Sequence, residues 1–326
     1  MKILVTIKLS RDDMNPLERE HSVESNTDEK PVEREYLAQK IKDKNGILCA
    51  INDRIDRDML KTAPDLKMIA NYGVGYDNID LDAATEQGIM VSNTPGVLTD
   101  STADIAFALI LATARRVVEG DHITREGRFG FWTPFSFLGR EVTGKRLGII
   151  GMGRIGTALA KRAKGFDMRI LYHNRRRIET PTEKELGAEY AELDALLAES
   201  DFISLHVPLT AETRHLIGKR ELSLMKKEAY LINTSRGSVI DEHALFMALK
   251  DGIIAGAGLD VYEKEPVLTP GLSKLDNAVI LPHIGSATIE TRKKMARMAV
   301  ENLLSGLRDE RPPNCINWEE LNKSSS

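Results

Sequence analysis

The chain has 326 residues, a length that suits two domains, and its 42% hydrophobic and 29% charged residues are ordinary for a globular protein. Its 45 basic and 49 acidic side chains give a net charge of −4, so no attraction for nucleic acid or for anionic membrane surfaces is expected. Its two cysteines are too few for a disulfide framework or a cysteine-rich metal site, and no metal site is predicted.

The amino-terminal run MKILVTIKLS predicts a first strand, because Lys8 interrupts it too early for the apolar core of a signal peptide. The longest apolar stretch, Ala106 to Ala114, is far shorter than the roughly 20 residues that span a bilayer. A cytoplasmic protein is therefore expected.

Apolar runs alternate with helical patterns in the first third of the chain. Strands are predicted at 2–7, 46–51, 66–73 and 88–93, and helices at 35–44, 56–64 and 81–88. This alternation is typical of an α/β domain with a mostly parallel sheet. The polar residues 8–34 are interpreted as a loop with part of a helix.

A long helix is predicted from Asp100 to Glu119, and residues 125–142 after it form a loop rich in Gly, Phe and Trp. The helix is apolar on nearly every face, so we expect it to be buried between domains or subunits. A second alternation follows, with strands predicted at 146–151, 168–173, 202–207, 229–234, 255–261 and 278–283. The chain then continues into an amphipathic helix at 288–307.

The motif Gly151-Met-Gly153-Arg154-Ile155-Gly156 lies between a predicted strand and a predicted helix. In a dinucleotide site the first glycine permits a tight turn, the second admits the pyrophosphate, and the third lets helix and strand pack closely. Glycines also mark ordinary turns, but the surrounding strands favour a dinucleotide-binding fold.

An NAD site usually places an acid about 20 residues after the glycines, where it binds the ribose hydroxyls. This chain instead has Asn174, Arg175, Arg176 and Arg177 there, and no carboxylate beside them. A basic loop of this kind suits a 2′-phosphate and favours NADP(H), with NAD(H) as the alternative. A solvated loop without a ligand is the structural alternative.

Three further side chains follow predicted strands near the edge at which doubly wound sheets bind ligands: Arg236, Glu265 and His283. The forked guanidinium of an Arg matches a carboxylate. A His can protonate the alkoxide that hydride addition to a ketone creates, and a nearby carboxylate favours its imidazolium form. Individually, Arg236 could cap a turn, Glu265 could be an ordinary loop residue, and His283 could be a core histidine.

Seven segments carry a more specific signal: NYGVGYDNID (71–80), NTPGVLTDSTADIAFAL (93–109), GMGRIG (151–156), HVPLTAETRHLI (206–217), LINTSRGSVID (231–241), GLDVYEKEP (258–266) and LPHIGSAT (281–288). Together they resemble the D-isomer-specific 2-hydroxyacid dehydrogenases, from about residue 46 to residue 315. The resemblance implies a two-domain α/β protein, in which a doubly wound Rossmann-type cofactor domain is inserted in a smaller flavodoxin-like substrate domain. Residues 1–98 and 288–326 are assigned to the substrate domain and 99–287 to the dinucleotide-binding domain.

The resemblance also implies roles for individual residues. Arg236 would bind the substrate carboxylate and carbonyl, and His283 would be the acid/base, paired with Glu265. Backbone groups of Val74 and Gly75 would hold the carboxylate. Beside the glycine motif and Asn174, Arg175 and Arg176, the expected cofactor contacts are Thr102, Val207, Pro208, Thr213, Thr234, Asp260, His283 and Gly285.

Within the family, TPGVLTDSTAD, YHNRR and PHIGSAT look most like glyoxylate/hydroxypyruvate reductases, so a small 2-oxo acid is the expected substrate. In similar reductases a Trp at the position of Trp132 borders the substrate pocket of a partner subunit, which predicts a homodimer here. A relative of D-lactate or phosphoglycerate dehydrogenase is the alternative enzyme. A dinucleotide-sensing protein similar to transcriptional corepressors is the alternative of another class, and a zinc-dependent alcohol dehydrogenase is disfavoured because no metal-ligand spacing occurs.

Overall fold

The computed structural model describes residues 1–323. The chain divides into two compact units. The first, here called the terminal unit, comprises residues 1–98 and the carboxyl-terminal segment that begins at Thr288. The second, called the inserted unit, comprises Thr99–Ala287.

The strands are β1 (Lys2–Val5), β2 (Ser22–Ser25), β3 (Gly46–Ala50), β4 (Met68–Tyr72), β5 (Met90–Ser92), β6 (Arg146–Ile150), β7 (Arg169–His173), β8 (Ala188–Tyr190), β9 (Phe202–Leu205), β10 (Tyr230–Asn233), β11 (Gly256–Leu259) and β12 (Ala278–Ile280). The α-helices are α1 (Arg11–Glu20), α2 (Arg34–Lys40), α3 (Arg57–Lys61), α4 (Leu81–Glu86), α5 (Thr99–Ala114), α6 (Val117–Arg125), α7 (Arg154–Lys164), α8 (Thr180–Leu186), α9 (Leu193–Glu199), α10 (Lys219–Leu224), α11 (Glu242–Lys250), α12 (Ile289–Leu307) and α13 (Trp318–Lys323). Short 3₁₀ helices lie at Ile41–Asp43, Gly237–Val239 and Leu272–Lys274.

The sheet of the terminal unit is parallel, with the strand order β2-β1-β3-β4-β5. Its central strands are nearly continuous apolar runs, because helices cover both faces. Helices α1 and α12 pack on one face through side chains such as Leu17 and Leu303. Helices α2, α3 and α4 pack on the other through side chains such as Leu37 and Leu60. The strand order is that of a flavodoxin-like sheet.

The sheet of the inserted unit is also parallel, with the order β12-β11-β10-β9-β6-β7-β8. Helices α5 and α7 bury one face, and α9, α10 and α11 bury the other. The chain runs outward from β6 in one direction and from β9 in the other, so a topological switch point lies between these two strands. Doubly wound sheets bind ligands at the carboxyl end of the strands at such a point.

Every apolar run predicted as a strand forms one, and the predicted fold class is confirmed. The sequence prediction missed β2 and β8, which are short edge strands with few apolar residues. Strand β2 and helix α1 both lie within residues 8–34, so the interpretation of that segment was only partly right.

The predicted helix from Asp100 to Glu119 is wrong in extent, since α5 ends at Ala114 and α6 begins at Val117. The chain breaks at Arg116, which takes the left-handed conformation with φ +55°. The Arg140 N–H donates to the Ala114 carbonyl at 2.7 Å, so the following loop caps the end of α5. Helix α5 packs on α7, β10 and β11 of its own unit.

Candidate active site

The three glycines of the dinucleotide motif lie at the switch point, immediately after β6. Gly151 has φ +100°, and a Cβ there would lie 2.6 Å from the carbonyl carbon of His206. A Cβ on Gly156 would lie 2.3 Å from the Gly151 oxygen, whereas Gly153 faces open space. The sequence therefore needs glycine for the turn and for close packing, and Gly153 leaves room for a ligand.

Helix α7 begins directly after Gly153, with Arg154 and Ile155 as its first residues. Among the described residues, no side chain caps this end of the helix. The N–H groups of a first helical turn have no partners within the helix and favour an anion. This end of α7 can therefore receive a phosphate group.

The basic loop after β7 is anchored to the glycine loop by Asn174, whose Oδ1 accepts the Met152 N–H at 2.7 Å. Arg175 and Arg176 are exposed. Neither makes a hydrogen bond or an ion pair with any other part of residues 1–323. These two guanidinium groups can therefore meet a phosphate without breaking an existing pair.

Arg177 differs from its two neighbours because it is bound within its own unit. Its Nε and Nη2 donate to the two carboxylate oxygens of Glu183 at 2.6 and 3.1 Å. The Tyr172 hydroxyl donates to the same carboxylate and accepts the Ile178 N–H at 3.1 Å. The hydrogen bond from Arg177 is the largest cause of the lowered pKa of Glu183. Arg177 therefore shapes the loop, and only two of the three arginines remain for a ligand.

The predicted trio, Arg236, Glu265 and His283, lies at the carboxyl edge of the same sheet. His283 pairs with Glu265, and the charge of Arg236 acts on the Glu265 carboxylate. His283 Nδ1 lies 2.8 Å from Glu265 Oε2, and Glu265 Oε1 accepts the Tyr262 N–H at 3.0 Å. Burial raises the pKa of Glu265, but the His283 hydrogen bond and charge, with a smaller effect of the Arg236 charge, lower it overall. Glu265 is therefore ionised at neutral pH beside the imidazole.

Arg236 is presented by a turn that Asn233 organises at the end of β10. The buried Asn233 side chain accepts the Ser235 N–H at 3.0 Å and donates to the Arg236 carbonyl at 2.9 Å. A Cβ on the next residue, Gly237, would lie 1.8 Å from the Tyr262 carbonyl carbon. Only glycine lets the Arg236 turn approach the loop of Glu265 so closely.

His283 has φ +56°, a left-handed conformation that costs energy for a residue with a side chain. The buried Asp260 carboxylate holds the turn that follows it, since the N–H groups of Ile284 and Gly285 donate to its two oxygens at 2.7 Å each. Burial raises the pKa of Asp260, and these two hydrogen bonds oppose that effect. Asp260 was predicted as a cofactor contact, and its observed bonds orient the His283 turn.

Glu242, a buried carboxylate at the start of α11, is not among the predicted site residues. It accepts the N–H groups of Glu263 and Thr269 at 2.7 Å each, so it holds the loop that carries Glu265. An acidic residue in a first helical turn ordinarily serves the helix itself. Nothing in the sequence pattern distinguishes Glu242 from such a residue.

The remaining predicted cofactor residues of the inserted unit lie along the same edge. Thr102 Oγ1 donates to the Gly285 carbonyl at 3.3 Å. Val207 and Pro208 follow β9 beside Gly151, and Thr213 Oγ1 donates to the Pro208 carbonyl at 2.6 Å. The Thr234 hydroxyl is buried and has no partner within the described part of the chain. That unpartnered hydroxyl and the open face of Gly153 fit a bound dinucleotide.

Val74 and Gly75 belong to the terminal unit, where they follow β4. Trp132 lies in the inserted unit, in the irregular segment between α6 and β6, and is 79% exposed in the single chain. Within residues 1–323, no cluster of three or more His, Cys, Asp or Glu side chains could hold a metal ion. Over the same residues, no helix combines the length and the apolar character needed to cross a membrane.

Comparison with known proteins tests the resemblance that the motifs predicted. The family model "D-isomer specific 2-hydroxyacid dehydrogenase, NAD binding domain" matches residues 107–285. A glyoxylate reductase from Thermococcus litoralis is 51% identical over 99% of this chain and 98% of its own length. The predicted family is therefore confirmed from sequence.

Solved structures agree with the sequence comparison. A glyoxylate reductase from Paecilomyes thermophila has a TM-score of 0.88 and 36% identity, with 98% of this chain and 99% of that chain covered. An NADPH-dependent glyoxylate/hydroxypyruvate reductase from Sinorhizobium meliloti, solved with NADP and malonate, has a TM-score of 0.86 and 33% identity, with 97% and 96% covered. The chain is thus an oxidoreductase that belongs to the D-isomer-specific 2-hydroxyacid dehydrogenase family.

Proposed function

We propose that this enzyme reduces glyoxylate, and also hydroxypyruvate, with NADPH as the preferred cofactor. The pairing of His283 with an ionised Glu265 in reach of the Arg236 charge supports this proposal most directly. The similarity to glyoxylate reductases favours these substrates over those of D-lactate or phosphoglycerate dehydrogenases. An acid/base pair at the ligand edge also favours an enzyme over a dinucleotide-sensing binding protein.

In this proposal, residues 1–98 and 288–326 are the substrate domain and 99–287 the dinucleotide-binding domain, which agrees with the segment that the family model matches. The nicotinamide cofactor, when bound, supplies the hydride that reduces the substrate carbonyl. Arg236 binds the carboxylate and polarises the carbonyl, because its fork donates two hydrogen bonds in one plane. Backbone N–H groups of Val74 and Gly75 hold the carboxylate of the substrate as well.

His283 donates the proton that the new alkoxide needs, from the ring nitrogen opposite Nδ1. Glu265 keeps the ring in one orientation and favours its protonated form. In the reverse direction the neutral ring accepts the hydroxyl proton. Asp260 accepts backbone N–H groups of the turn that follows His283, and Glu242 accepts those of the loop that carries Glu265. His283 and Glu265 are therefore already in place before substrate binds.

The preference for NADP(H) is supported by Arg175 and Arg176, which are exposed and make no ion pair within residues 1–323, and by the absence of an acid next to Asn174 in the sequence. A charge-assisted hydrogen bond between a guanidinium and a 2′-phosphate contributes on the order of 1.5–3 kcal/mol to binding, which corresponds to roughly ten- to a hundredfold in affinity. The NADPH-dependent relative from Sinorhizobium meliloti is consistent with this preference. NAD(H) is the alternative cofactor.

A homodimer belongs to the same proposal, as does a cytoplasmic location. Phe131, Trp132 and Phe135 are 92%, 79% and 86% exposed, and large aromatic side chains in a row seldom face water. A two-fold dimer would bury the same segment of each chain, with Trp132 bordering the substrate site of the partner. Light scattering at micromolar concentration should give the dimer mass, and a monomer mass would reject this part of the proposal.

A panel of glyoxylate, hydroxypyruvate, pyruvate and phosphohydroxypyruvate, each assayed with NADPH and with NADH, tests the activity. We expect the highest kcat/KM for glyoxylate or hydroxypyruvate with NADPH. A higher kcat/KM for pyruvate or phosphohydroxypyruvate would transfer the assignment to the corresponding dehydrogenases. An absence of turnover with intact dinucleotide binding would favour the sensing protein.

A further inference from the structure

The loop after β4 has its carbonyl groups bound by the rest of the terminal unit. The Gly73 carbonyl accepts the Thr94 N–H at 2.9 Å. The Val74 carbonyl accepts the Asn93 side-chain amide at 2.8 Å. A Cβ on Gly73 would lie 2.3 Å from the Ile51 side chain, so glycine is required for this close approach. The loop is therefore held tightly against the unit.

The third carbonyl of this loop, that of Gly75, is bound by a buried asparagine. Asn71, at 1% exposure, donates from Nδ2 to the Gly75 oxygen at 2.8 Å. Its Oδ1 faces two donors, Asn78 Nδ2 at 3.3 Å and Cys49 Sγ at 3.6 Å. Because both ends of the amide have partners, its orientation is determined: the NH₂ group faces Gly75.

Binding the carbonyl groups determines where the N–H groups point. In a planar trans peptide the C=O of one residue and the N–H of the next lie in opposite directions. Three consecutive carbonyls held by the protein therefore direct the N–H groups of Val74, Gly75 and Tyr76 away from their anchors. Within the described residues, none of these three N–H groups has an acceptor. Successive N–H groups without an acceptor in the protein are available to bind an anion.

We propose that Asn71 is a positioning residue for the substrate carboxylate: by holding the Gly75 carbonyl, it keeps this peptide segment in the anion-binding orientation. The inference rests on the proposed function. It goes beyond that function by assigning a role to a residue that holds the carboxylate-binding backbone and is not itself a ligand of the substrate. Asn71 is buried and contacts the loop at the Gly75 carbonyl, so it acts through the backbone. Loss of its donor would let the Gly75 peptide rotate and would weaken binding of the carboxylate, while the chemistry and the cofactor site in the inserted unit would be unaffected.

The variant Asn71→Asp tests the proposal, because its carboxyl group can donate to the Gly75 carbonyl only when protonated. At pH 8 we expect KM for glyoxylate to be roughly ten- to a hundredfold above that of the parent enzyme, with KM for NADPH within about twofold. Burial raises the pKa of a carboxyl group, so the introduced group should become protonated as the pH falls toward about 5. The ratio of the variant KM to the parent KM, measured at each pH, should then decrease toward one.

A second variant and a control separate positioning from a general structural role. Asn71→Ser cannot reach the Gly75 carbonyl, so its KM for glyoxylate should be raised by the same ratio at every pH. The control is Asn45→Asp, since Asn45 donates to the Asp65 carbonyl at 3.2 Å at the opposite, amino end of the same sheet. It should leave KM for glyoxylate unchanged. Thermal unfolding of each variant shows whether it is folded.

Titration with oxamate, a non-reacting carboxylate, tests the site without turnover. In the parent enzyme the NMR signals of the Val74 and Gly75 amides should shift as oxamate is added. In Asn71→Ser the same shifts should require a roughly tenfold higher concentration of oxamate. The inference would be overturned if oxamate shifted these signals at the same concentration in the parent and in Asn71→Ser. It would also be overturned if the ratio of the Asn71→Asp KM to the parent KM did not change with pH, or if KM for NADPH rose as much as KM for glyoxylate. If the parent binds oxamate at these amides but reduces no oxo acid, the proposed function fails, and the role of Asn71 is limited to holding the loop as an anion site.

Discussion

Replacing Glu265 with Gln removes the negative charge beside His283 and keeps the size and the hydrogen-bonding capacity of the side chain. Glu265 is ionised at neutral pH, because its pKa lies below the usual value for Glu, and its Oε2 lies 2.8 Å from His283 Nδ1. The charge favours the protonated imidazole, which reduction requires as proton donor. We therefore expect the rate of reduction in Glu265→Gln to fall at a lower pH than in the parent enzyme.

The expected size of the shift follows from the geometry of the pair. The nearest charged atoms of the pair lie 2.8 Å apart. Even at about 4 Å, two charges at an effective dielectric constant of about 20 attract by about 4 kcal/mol. The side chains of His283 and Glu265 are 29% and 36% exposed, so solvent screens the pair and we reduce this value to about 1–1.5 kcal/mol. Since about 1.4 kcal/mol corresponds to one pH unit, the falling limb of kcat/KM for glyoxylate reduction should move down by about one unit.

The assay is the pH dependence of kcat/KM in both directions, with cofactor saturating. Oxidation requires the neutral ring, so its rising limb should move down by the same amount. Glu263→Gln is the matched control: Glu263 lies in the same loop but pairs with His215, its Oε1 at 2.9 Å from His215 Nε2. An unshifted profile in Glu265→Gln, or an equal shift in the control, would refute the electrostatic role of Glu265.

Four further outcomes are expected. His283→Ala should lower kcat by roughly 10²–10⁴ and leave the Kd for NADPH nearly unchanged, because proton donation acts in the transition state; near-normal turnover would reject the assignment. Arg236→Lys keeps the charge but loses the fork, so KM for glyoxylate should rise and kcat should fall in steady-state assays. Arg175→Ala should reduce the preference for NADPH over NADH mainly through KM, and added salt should weaken NADPH more than NADH in the parent. Burial lowers the pKa of His206 to about 3, so between about pH 6.5 and pH 3 its imidazole takes up a proton only in the unfolded chain. As the pH falls through this range, the free energy of unfolding measured with urea should decrease, with a contribution from His206 of up to about 1.4 kcal/mol per pH unit. His206→Gln should remove that contribution.

Much of the fold was predictable from local sequence. A parallel strand covered on both faces must be apolar along its length, so the buried strands are visible as short apolar runs. Gly151 and Gly156 were predictable for a related reason, since a positive φ or a close backbone approach excludes a side chain. Arg236, Glu265 and His283 could be proposed together because each follows a predicted strand, and parallel strands end at the same edge of a sheet.

Other features depend on contacts between segments that are distant in the chain. The edge strands β2 and β8 are short and polar, and pairing with a neighbouring strand defines them. Helix α5 ends at Ala114 because a returning loop caps it, although the sequence continues with residues that tolerate a helix.

In the candidate site, too, some features follow from local sequence and others depend on contacts between distant segments. The sequence by itself determined the glycine motif, the basic loop and the identity of the trio, because residue type and spacing carry those properties. Only the tertiary structure decided that Arg177 is bound to Glu183 and that Asp260 and Glu242 hold the turns of the trio. The reason is physical: what a carboxylate or an amide does depends on which N–H group lies within about 3 Å of it, and folding brings those groups together from positions that the linear order does not relate.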